Sequence, residues 1–397
     1  DMVLGGSFSY SAQLFFQQKD GRFAQKALIA NADINTKRWE DEGMILFDAE
    51  GDGDLDLYIA SGGYENERNT PIYQDKLYVN DGKGNFTIKA DAIPQELTSK
   101  MCVRAFDYDK DGDLDLLVTG RVDPWNYPKP VSSFLYRNDT KDTTIRFTDV
   151  TAMVAPALQT LGLVCDALCS DFDGDGYIDL ILAGEWMAPT FLQNKQGKFV
   201  PVNVSKAIAS QKGWWNSIAS GDFDKDGDID YVLGNMGNNS FYRADADHPV
   251  SILGGDFDKN GSYDAIPSLY LPDIQGNKKE FPAQGRDDQV KQIISMRNRF
   301  QNYKGYAVAG IGELLSDEQK KMAIHLSATQ FSSVWIKNNG KGNFEMIPLP
   351  KEAQYSTVNG MVVDDFNGDG NLDIAINGND YGTEVAVGRY DAMNGLV

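Results

Sequence analysis

A nine-residue phrase, Asp107 to Asp115 reading DYDKDGDLD, constrains this chain more than any other stretch. Oxygens at its first, third, fifth and ninth positions can converge on one hard cation if the chain turns sharply at the sixth. Gly112 stands at that sixth position, where a Cβ would penalise the backbone conformation the turn needs. Calcium suits the set, because it takes about six to eight oxygens and tolerates irregular geometry, whereas magnesium demands a tighter octahedron.

An EF-hand also starts with acids at positions one, three and five, but it closes with a bidentate glutamate at the twelfth position, between two helices. Counting from Asp107, the twelfth residue is Val118, and the flanks Cys102 to Phe106 and Leu114 to Val118 are short, rich in β-formers and without helical periodicity. The loop therefore joins two strands. The same grammar returns at Asp48 (DAEGDGDLD), Asp171 (DFDGDGYID), Asp222 (DFDKDGDID), Asp256 (DFDKNGSYD) and Asp365 (DFNGDGNLD), each time with an apolar residue or proline at position twelve. Solvated acidic turns have no reason to repeat carboxylates in register with one glycine.

The pattern predicts about six calcium sites. Their ligands are Asp48, Glu50, Asp52, Asp54 and Asp56; Asp107, Asp109, Asp111, Asp113 and Asp115; Asp171, Asp173, Asp175, Tyr177 and Asp179; Asp222, Asp224, Asp226, Asp228 and Asp230; Asp256, Asp258, Asn260, Ser262 and Asp264; and Asp365, Asn367, Asp369, Asn371 and Asp373. The seventh position is expected to serve through its backbone carbonyl. Glu50 lengthens one arm, while Asn260 and Asn367 each remove a charge and so predict weaker binding.

The net charge of −21 follows from these loops, and six bound Ca²⁺ would bring it to about −9. Such acidity argues against nucleic acid, whose phosphates need a basic face. Cys102, Cys165 and Cys169 fall in apolar stretches just before acidic loops, read as buried free thiols, and a bridge between the last two along one extended strand would not close. No apolar run approaches the roughly 18 residues of a membrane span, and a signal region is expected to lie outside the given residues. Calcium sites of this kind fit an extracellular, cell-surface or periplasmic setting, where calcium is near millimolar.

Between loops the chain repeats a unit of four short antiparallel strands. After Asp48 come a strand at Leu55 to Ala60, a polar loop, a strand at Lys76 to Asn80, the turn Asp81 to Asn85 and a strand from Phe86. Loop starts are 59, 64, 51, 34 and 109 residues apart, so a shortened repeat precedes an enlarged one. The enlarged one carries a helical insertion at 284–325, with helices predicted over 286–303 and 316–323, the second capped by Ser316. Strand grammar resumes at Ser333 to Lys337. Asp1 stands where a ninth-position Asp would, and the last segment stops within a repeat, so a fragment cut inside its first and last repeats is expected.

Four-stranded units of this length cannot bury their faces alone, and radial arrangement buries them with short protected edges. The expected fold is all-β: a single β-propeller over 1–397 with seven blades, six or eight being the alternatives. The motif DxDxDGxxD followed by an apolar strand and then LYxNxGxGxF, seen at Asp48 to Asp56 with Leu77, Tyr78, Asn80, Gly82, Gly84 and Phe86, resembles the FG-GAP/VCBS repeat family, related to the propeller of integrin α subunits. The stretches at 346–356 and 387–395 look like secreted or surface repeat proteins of Bacteroidetes, often joined to an ASPIC/UnbV-type domain. The resemblance implies an extracellular binding module and names no substrate.

In such a blade the acidic loops open on one face and the long variable loops on the other. The second face is expected to carry Tyr64, Arg68, Arg121, Trp125, Tyr127, Trp186, Tyr381, Arg389 and Tyr390, residue types frequent at interfaces and able to stack on sugars. The expected function is calcium-stabilised recognition of a glycan or protein ligand on that face. No organic cofactor is expected. Only two histidines occur, and no HExxH, GxSxG or P-loop is present. The alternatives are a calcium-dependent polysaccharide lyase or hydrolase, with Arg121, Tyr381 or Arg389 set against Asp380 or Glu384, and a structural assembly surface.

Overall fold

The computed structural model describes all residues except 142–143 and 384–386. It is all-β, built of antiparallel sheets with few helices. The first sheet has three strands, β1 (Met2–Leu4), β2 (Gln13–Gln17) and β3 (Phe23–Ala27). Three sheets then follow one scheme, with strands paired in chain order. They are β4 (Glu40–Phe47) to β7 (Phe86–Ile88) through β5 (Asp56–Gly62) and β6 (Lys76–Asn80); β8 (Ser99–Phe106) to β11 (Phe147–Asp149) through β9 (Asp115–Val122) and β10 (Phe134–Asn138); and β12 (Leu163–Ser170) to β15 (Phe199–Val202) through β13 (Asp179–Met187) and β14 (Thr190–Asn194), with β16 (Gly213–Trp214) added on β13.

The next sheet departs from chain order. Strands β17 (Ser217–Gly221) and β18 (Asp230–Gly234) are completed by β23 (Val334–Asn338) and β24 (Phe344–Pro348), Tyr231 pairing with Ile336 across about a hundred residues of intervening chain. Those residues form a sheet of their own, in spatial order β21 (Lys278–Pro282), β20 (Asp264–Pro272), β19 (Val250–Gly255), β22 (Ile324–Ala328). The loop at Asp256 therefore belongs to an inserted sheet and not to a neighbouring repeat. Strands β25 (Gly360–Asp364) and β26 (Asp373–Asn377) make the last, two-stranded sheet.

Leading strands pack side by side in the order β4, β8, β12, β17, β25. The sheets make a fan, and the expected closed ring of seven blades is not what is observed. Counting repeats by their loops assigned a radial place to the 256 loop, which strand pairing gives to the insertion. The expected helix over 286–303 is also broken, into Arg286–Gln292, Met296–Arg299 and Tyr303–Ala307, because Ile293 leaves helical geometry to bury itself with Phe257 and Ile266. Ser316 caps the helix Asp317–Met322, its Oγ accepting the Gln319 N–H while the Gln319 side chain accepts the Ser316 N–H.

Apolar residues fill the gaps between adjacent sheets. Phe47, Tyr58 and Leu77 meet Val103, Leu116 and Tyr136 between the second and third sheets, and Phe172, Ile181 and Phe191 meet Tyr231, Ile336 and Phe344 farther along. Polar stitches cross the same gaps. Asn138, Asn194 and Asn338, each ending the third strand of its sheet, donate from Nδ2 to Ala49, Tyr108 and Phe172 O of the preceding sheet's acidic loop, at 3.0, 2.8 and 3.2 Å. All three asparagines are buried. The Asn80 side chain, in contrast, bonds within its own sheet, Nδ2 donating to Leu55 O at 3.2 Å and Oδ1 accepting the Gly84 N–H at 3.1 Å.

Replacing Asn194 by Ala is expected to lower unfolding stability by about 1–3 kcal/mol, since a buried carbonyl loses its partner, while Asn80→Ala costs less. Chemical denaturation of the two variants side by side checks the order.

Candidate metal centres and the cavity at the opposite end

Each acidic loop is shaped by its first and sixth residues. Asp48 Oδ1 accepts the Gly51 N–H at 2.7 Å and Oδ2 the Gly53 N–H at 2.9 Å, and Asp107, Asp171 and Asp365 repeat the arrangement. The sixth-position glycine is left-handed in every loop, with φ of +93° at Gly53 and +98° at Gly112. The fourth position is left-handed too, including Lys110 at +65° and Lys225 at +62°, a demand the sequence reading missed although glycine fills that position in three loops.

The ninth-position aspartate is buried in five of the six loops, Asp373 being only half-buried, and in those five it helps to hold the hairpin together. Asp115 accepts the Tyr108 N–H at 3.2 Å and the Asn138 N–H at 2.8 Å, and Asp56, Asp179 and Asp230 make the same pair of bonds with their own loop and third strand. In the inserted sheet Asp264 keeps the first bond, to Phe257. Each such oxygen retains a free lone pair, so this structural duty is compatible with ligation.

Carboxylate oxygens converge in five loops. Those of Asp48, Glu50 and Asp56; Asp107, Asp109 and Asp115; Asp171, Asp173 and Asp179; Asp222, Asp224 and Asp226; and Asp256, Asp258 and Asp264 lie within 4.8 Å of one another in each group. The structure gathers no such trio at Asp365, where Asn367 replaces the third acid and donates no charge. Of the remaining predicted ligands, Asp52, Asp111, Asp175, Asn260 and Asp369 each accept the N–H of the seventh residue. At that seventh position Asp54, Asp113, Asp228, Ser262 and Asn371 stand outside the trios, as do Asp230 and Asp373, and the Tyr177 ring lies 3.7 Å under the Lys110 ammonium of the neighbouring loop.

Buried oxygens test whether a cation fits. Glu50 Oε2, Asp109 Oδ1, Asp224 Oδ1 and Asp258 Oδ1 are inaccessible to solvent and accept no hydrogen bond among the described residues. All four belong to the third position of a loop, and Asp54 Oδ1, at a seventh position, is likewise buried without a partner among the described residues. Burial and the adjoining acids push Glu50 up to about 8, and burial lifts Asp115 and Asp179 to about 7 and Asp264 to about 6. Crowded carboxylates with unshared oxygens suit a divalent ion, which would neutralise them and tie the loop to both strands.

The loops differ in their competitors. Gln193 donates to Asp173, and Lys337, one residue before Asn338, forms an ion pair with Asp224. Its ammonium already satisfies part of the charge that a metal would meet.

At the far ends of the same hairpins lies a cavity of about 520 Å³. It is walled by the ends of second strands (Arg121, Glu185), the starts of first strands (Met101, Cys165) and residues beside them, among them Trp214, Asn216, Thr357 and Asn359. Arg121 Nη2 donates to Glu185 Oε1 at 2.7 Å, Tyr127 Oη donates to Glu185 Oε2 at 2.7 Å, and Trp186 Nε1 donates to Tyr127 Oη at 2.6 Å. Two further donors in the same walls, Arg121 Nη1 and Trp214 Nε1, are buried with no partner among the described residues.

Of the residues expected on this face, Arg121, Tyr127 and Tyr390 line the cavity, and Tyr64 lines an adjoining one of about 590 Å³ that shares Arg121 and Tyr127. Trp186 is not a surface residue. It is 5% exposed, packed edge-on against Trp214 and held with φ of +61°. Trp125 and Tyr381 are exposed outside both cavities, Arg389 lies over the Tyr381 ring, and Arg68 pairs with Asp123. Arg121 and Asp380 share the cavity, while Glu384 lies outside the described residues. Sequence reasoning missed Trp214, Glu185 and Thr357. Trp214 stands in GWW after a short helix, with no motif around it.

The acidic loop at Asp256 belongs to a sheet outside the side-by-side series that carries the other five. The inserted sheet packs on the cavity side, Val250, Ile252 and Leu269 sharing a core with Val122, Leu163 and Trp186, and Gly254 so close to Pro128 that a Cβ would stand 3.0 Å from Pro128 Cδ. An insertion between second and third strands must emerge at that end.

Removing the competing ammonium by Lys337→Met is expected to raise metal affinity of the Asp222 loop by roughly tenfold, equivalent to about 1.4 kcal/mol. Calorimetric titration with Ca²⁺ checks it against Asp224→Asn, which weakens the same site.

The chain carries FG-GAP-like repeats, matched over residues 48–118 and 171–233. No curated protein matches it. Among solved structures it is similar to the crystal structure of the V. cholerae biofilm matrix protein Bap1, at 12% identity and a TM-score of 0.28, over 93% of this chain and 74% of that one.

Proposed function

We propose that this chain is a calcium-braced extracellular recognition module, a propeller-like fan that binds a carbohydrate or protein ligand at the end of the sheets away from the five aligned acidic loops. The observation that carries the reading is the cavity itself, where Arg121, Glu185 and Tyr127 are fixed in the walls by their mutual hydrogen bonds at the ends of adjacent hairpins. The cavity has the volume usual for small-ligand sites. Fixed positions at the ends of long hairpins make its walls rigid.

Calcium supplies stability in this scheme, since the ion binds the folded loops and not the unfolded chain. One site at a free concentration a hundredfold above its Kd adds about 2.7 kcal/mol. The setting is extracellular for the same reason: sites of this type fill where calcium is near millimolar. No described helix is long and apolar enough to cross a membrane. Net charge of −21 disfavours nucleic acid as the ligand.

Calorimetry with Ca²⁺ is expected to give about five sites, one for each acid trio, and EDTA is expected to lower the melting temperature and abolish binding in a screen of glycans and surface proteins. An unchanged melting temperature in EDTA would reject calcium as the brace. Product release from a polysaccharide during the same screen would replace recognition by catalysis.

A further inference from the structure

Strands β5, β9, β13, β18, β20 and β26 each begin at a ninth-position aspartate, and each pairs with a leading strand. Strand β1, which follows Asp1, pairs with β2 alone. We propose that the open edge of β1 docks a strand that runs into an acidic glycine loop, supplied from outside the 397 residues. None of this depends on the cavity at the other end.

Asp1 already behaves as a ninth-position residue. Its Oδ1 accepts the Gln17 N–H at 2.7 Å, the bond that Asp56, Asp115, Asp179 and Asp230 make with Asn80, Asn138, Asn194 and Asn338. The register agrees to the residue: Met2 faces Phe15 as Leu57 faces Tyr78, so Gln17 and Asn80 are equivalent. In five loops the other oxygen of this aspartate accepts the N–H of the loop's second residue. Asp1 is exposed, and its Oδ2 accepts no hydrogen bond among the described residues.

The neighbouring sheet points to the same loop. Asn138, Asn194 and Asn338 donate from Nδ2 to a second loop residue of the sheet before their own. Asn194 and Asn338 donate as well to the eighth residue of their own loop, Ile178 and Ile229. Asn80 Nδ2 makes only the own-loop bond, to Leu55 O. The sheet before it is the first, so the carbonyl its second N–H would reach belongs to a loop leading into Asp1. Two polar groups on two sheets thus call for partners in one segment.

The chain does not supply that segment from within, because the strands leading into its six acidic loops are all paired in sheets of their own. The occupant has the chemistry of those segments. Its extended backbone pairs with the β1 edge, as in strand addition to an open sheet. Its acidic loop turns at glycine and offers, from the second residue, an N–H to Asp1 and a carbonyl to Asn80. With Ca²⁺ in the loop as proposed above, Asp1 supplies the ninth-position oxygen.

Fluorescence anisotropy on the full chain in Ca²⁺ tests the proposal with a labelled peptide of residues 99–114 carrying Cys102→Ser. This peptide is a leading strand plus the first eight loop positions, so Asp1 serves as its ninth. It is expected to bind and to slow amide exchange at Met2–Leu4. Asp1→Ala should weaken binding roughly tenfold and Asn80→Ala roughly threefold, with the melting temperature in the absence of peptide showing that each variant folds. The peptide with Asp107→Asn, Asp109→Asn and Asp111→Asn should bind at least about tenfold more weakly. Glu345→Gln, exposed on β24, serves as the unaffected control. Absence of binding overturns the proposal. The same holds for protection that falls elsewhere than β1, and for binding that Asp1→Ala, Asn80→Ala or loss of the peptide's acids leaves unchanged.

Discussion

One carboxylate, repeated, organises this molecule. The ninth-position aspartate of an acidic loop is sunk between two strands, where it takes one N–H from its own loop and one from the asparagine that ends the third strand. That asparagine then reaches across to the preceding sheet's loop. Hairpin, third strand and neighbouring sheet are thereby coupled through buried hydrogen bonds, and each partner removed leaves another unsatisfied. Mixed aliphatic and aromatic layers between sheets bury apolar surface, but apolar contacts alone do not specify register.

The same geometry concentrates negative charge. Three to five carboxylates in nine residues would repel in any compact turn, and here burial raises the pKa of several of them. A divalent metal, if held by these groups, would turn that liability into a cross-link between the loop and both strands of its hairpin. Loop chemistry then grades the sites: Lys337 offsets charge at one, Gln193 hydrogen-bonds at another, and Asn367 leaves the last without its third acid.

Loops with one job at one end free the other end to vary. There the chain accommodates an inserted sheet and five short helices between two strands that still pair as neighbours. The insertion packs against Val122, Leu163 and Trp186, so it backs strands that carry cavity residues and shields Trp186 from solvent. Fixed hairpins therefore carry the acidic loops at one end and a longer, more irregular rim at the other.

Spacing alone determined the acidic loops, the glycine turns and the four-stranded unit, because these depend on residues within about ten positions of each other, where chain geometry leaves few choices. Asn80 was visible as part of a motif, yet its counterparts Asn138, Asn194 and Asn338 revealed their cross-sheet bonds only in three dimensions. Tertiary structure also decided that Asp256 belongs to an insertion, since adjacency in sequence carries no information about which distant strand completes a sheet. It decided, too, that Trp186 is core while Trp214 lines a cavity. Local pattern cannot rank two tryptophans whose difference lies in what packs against them.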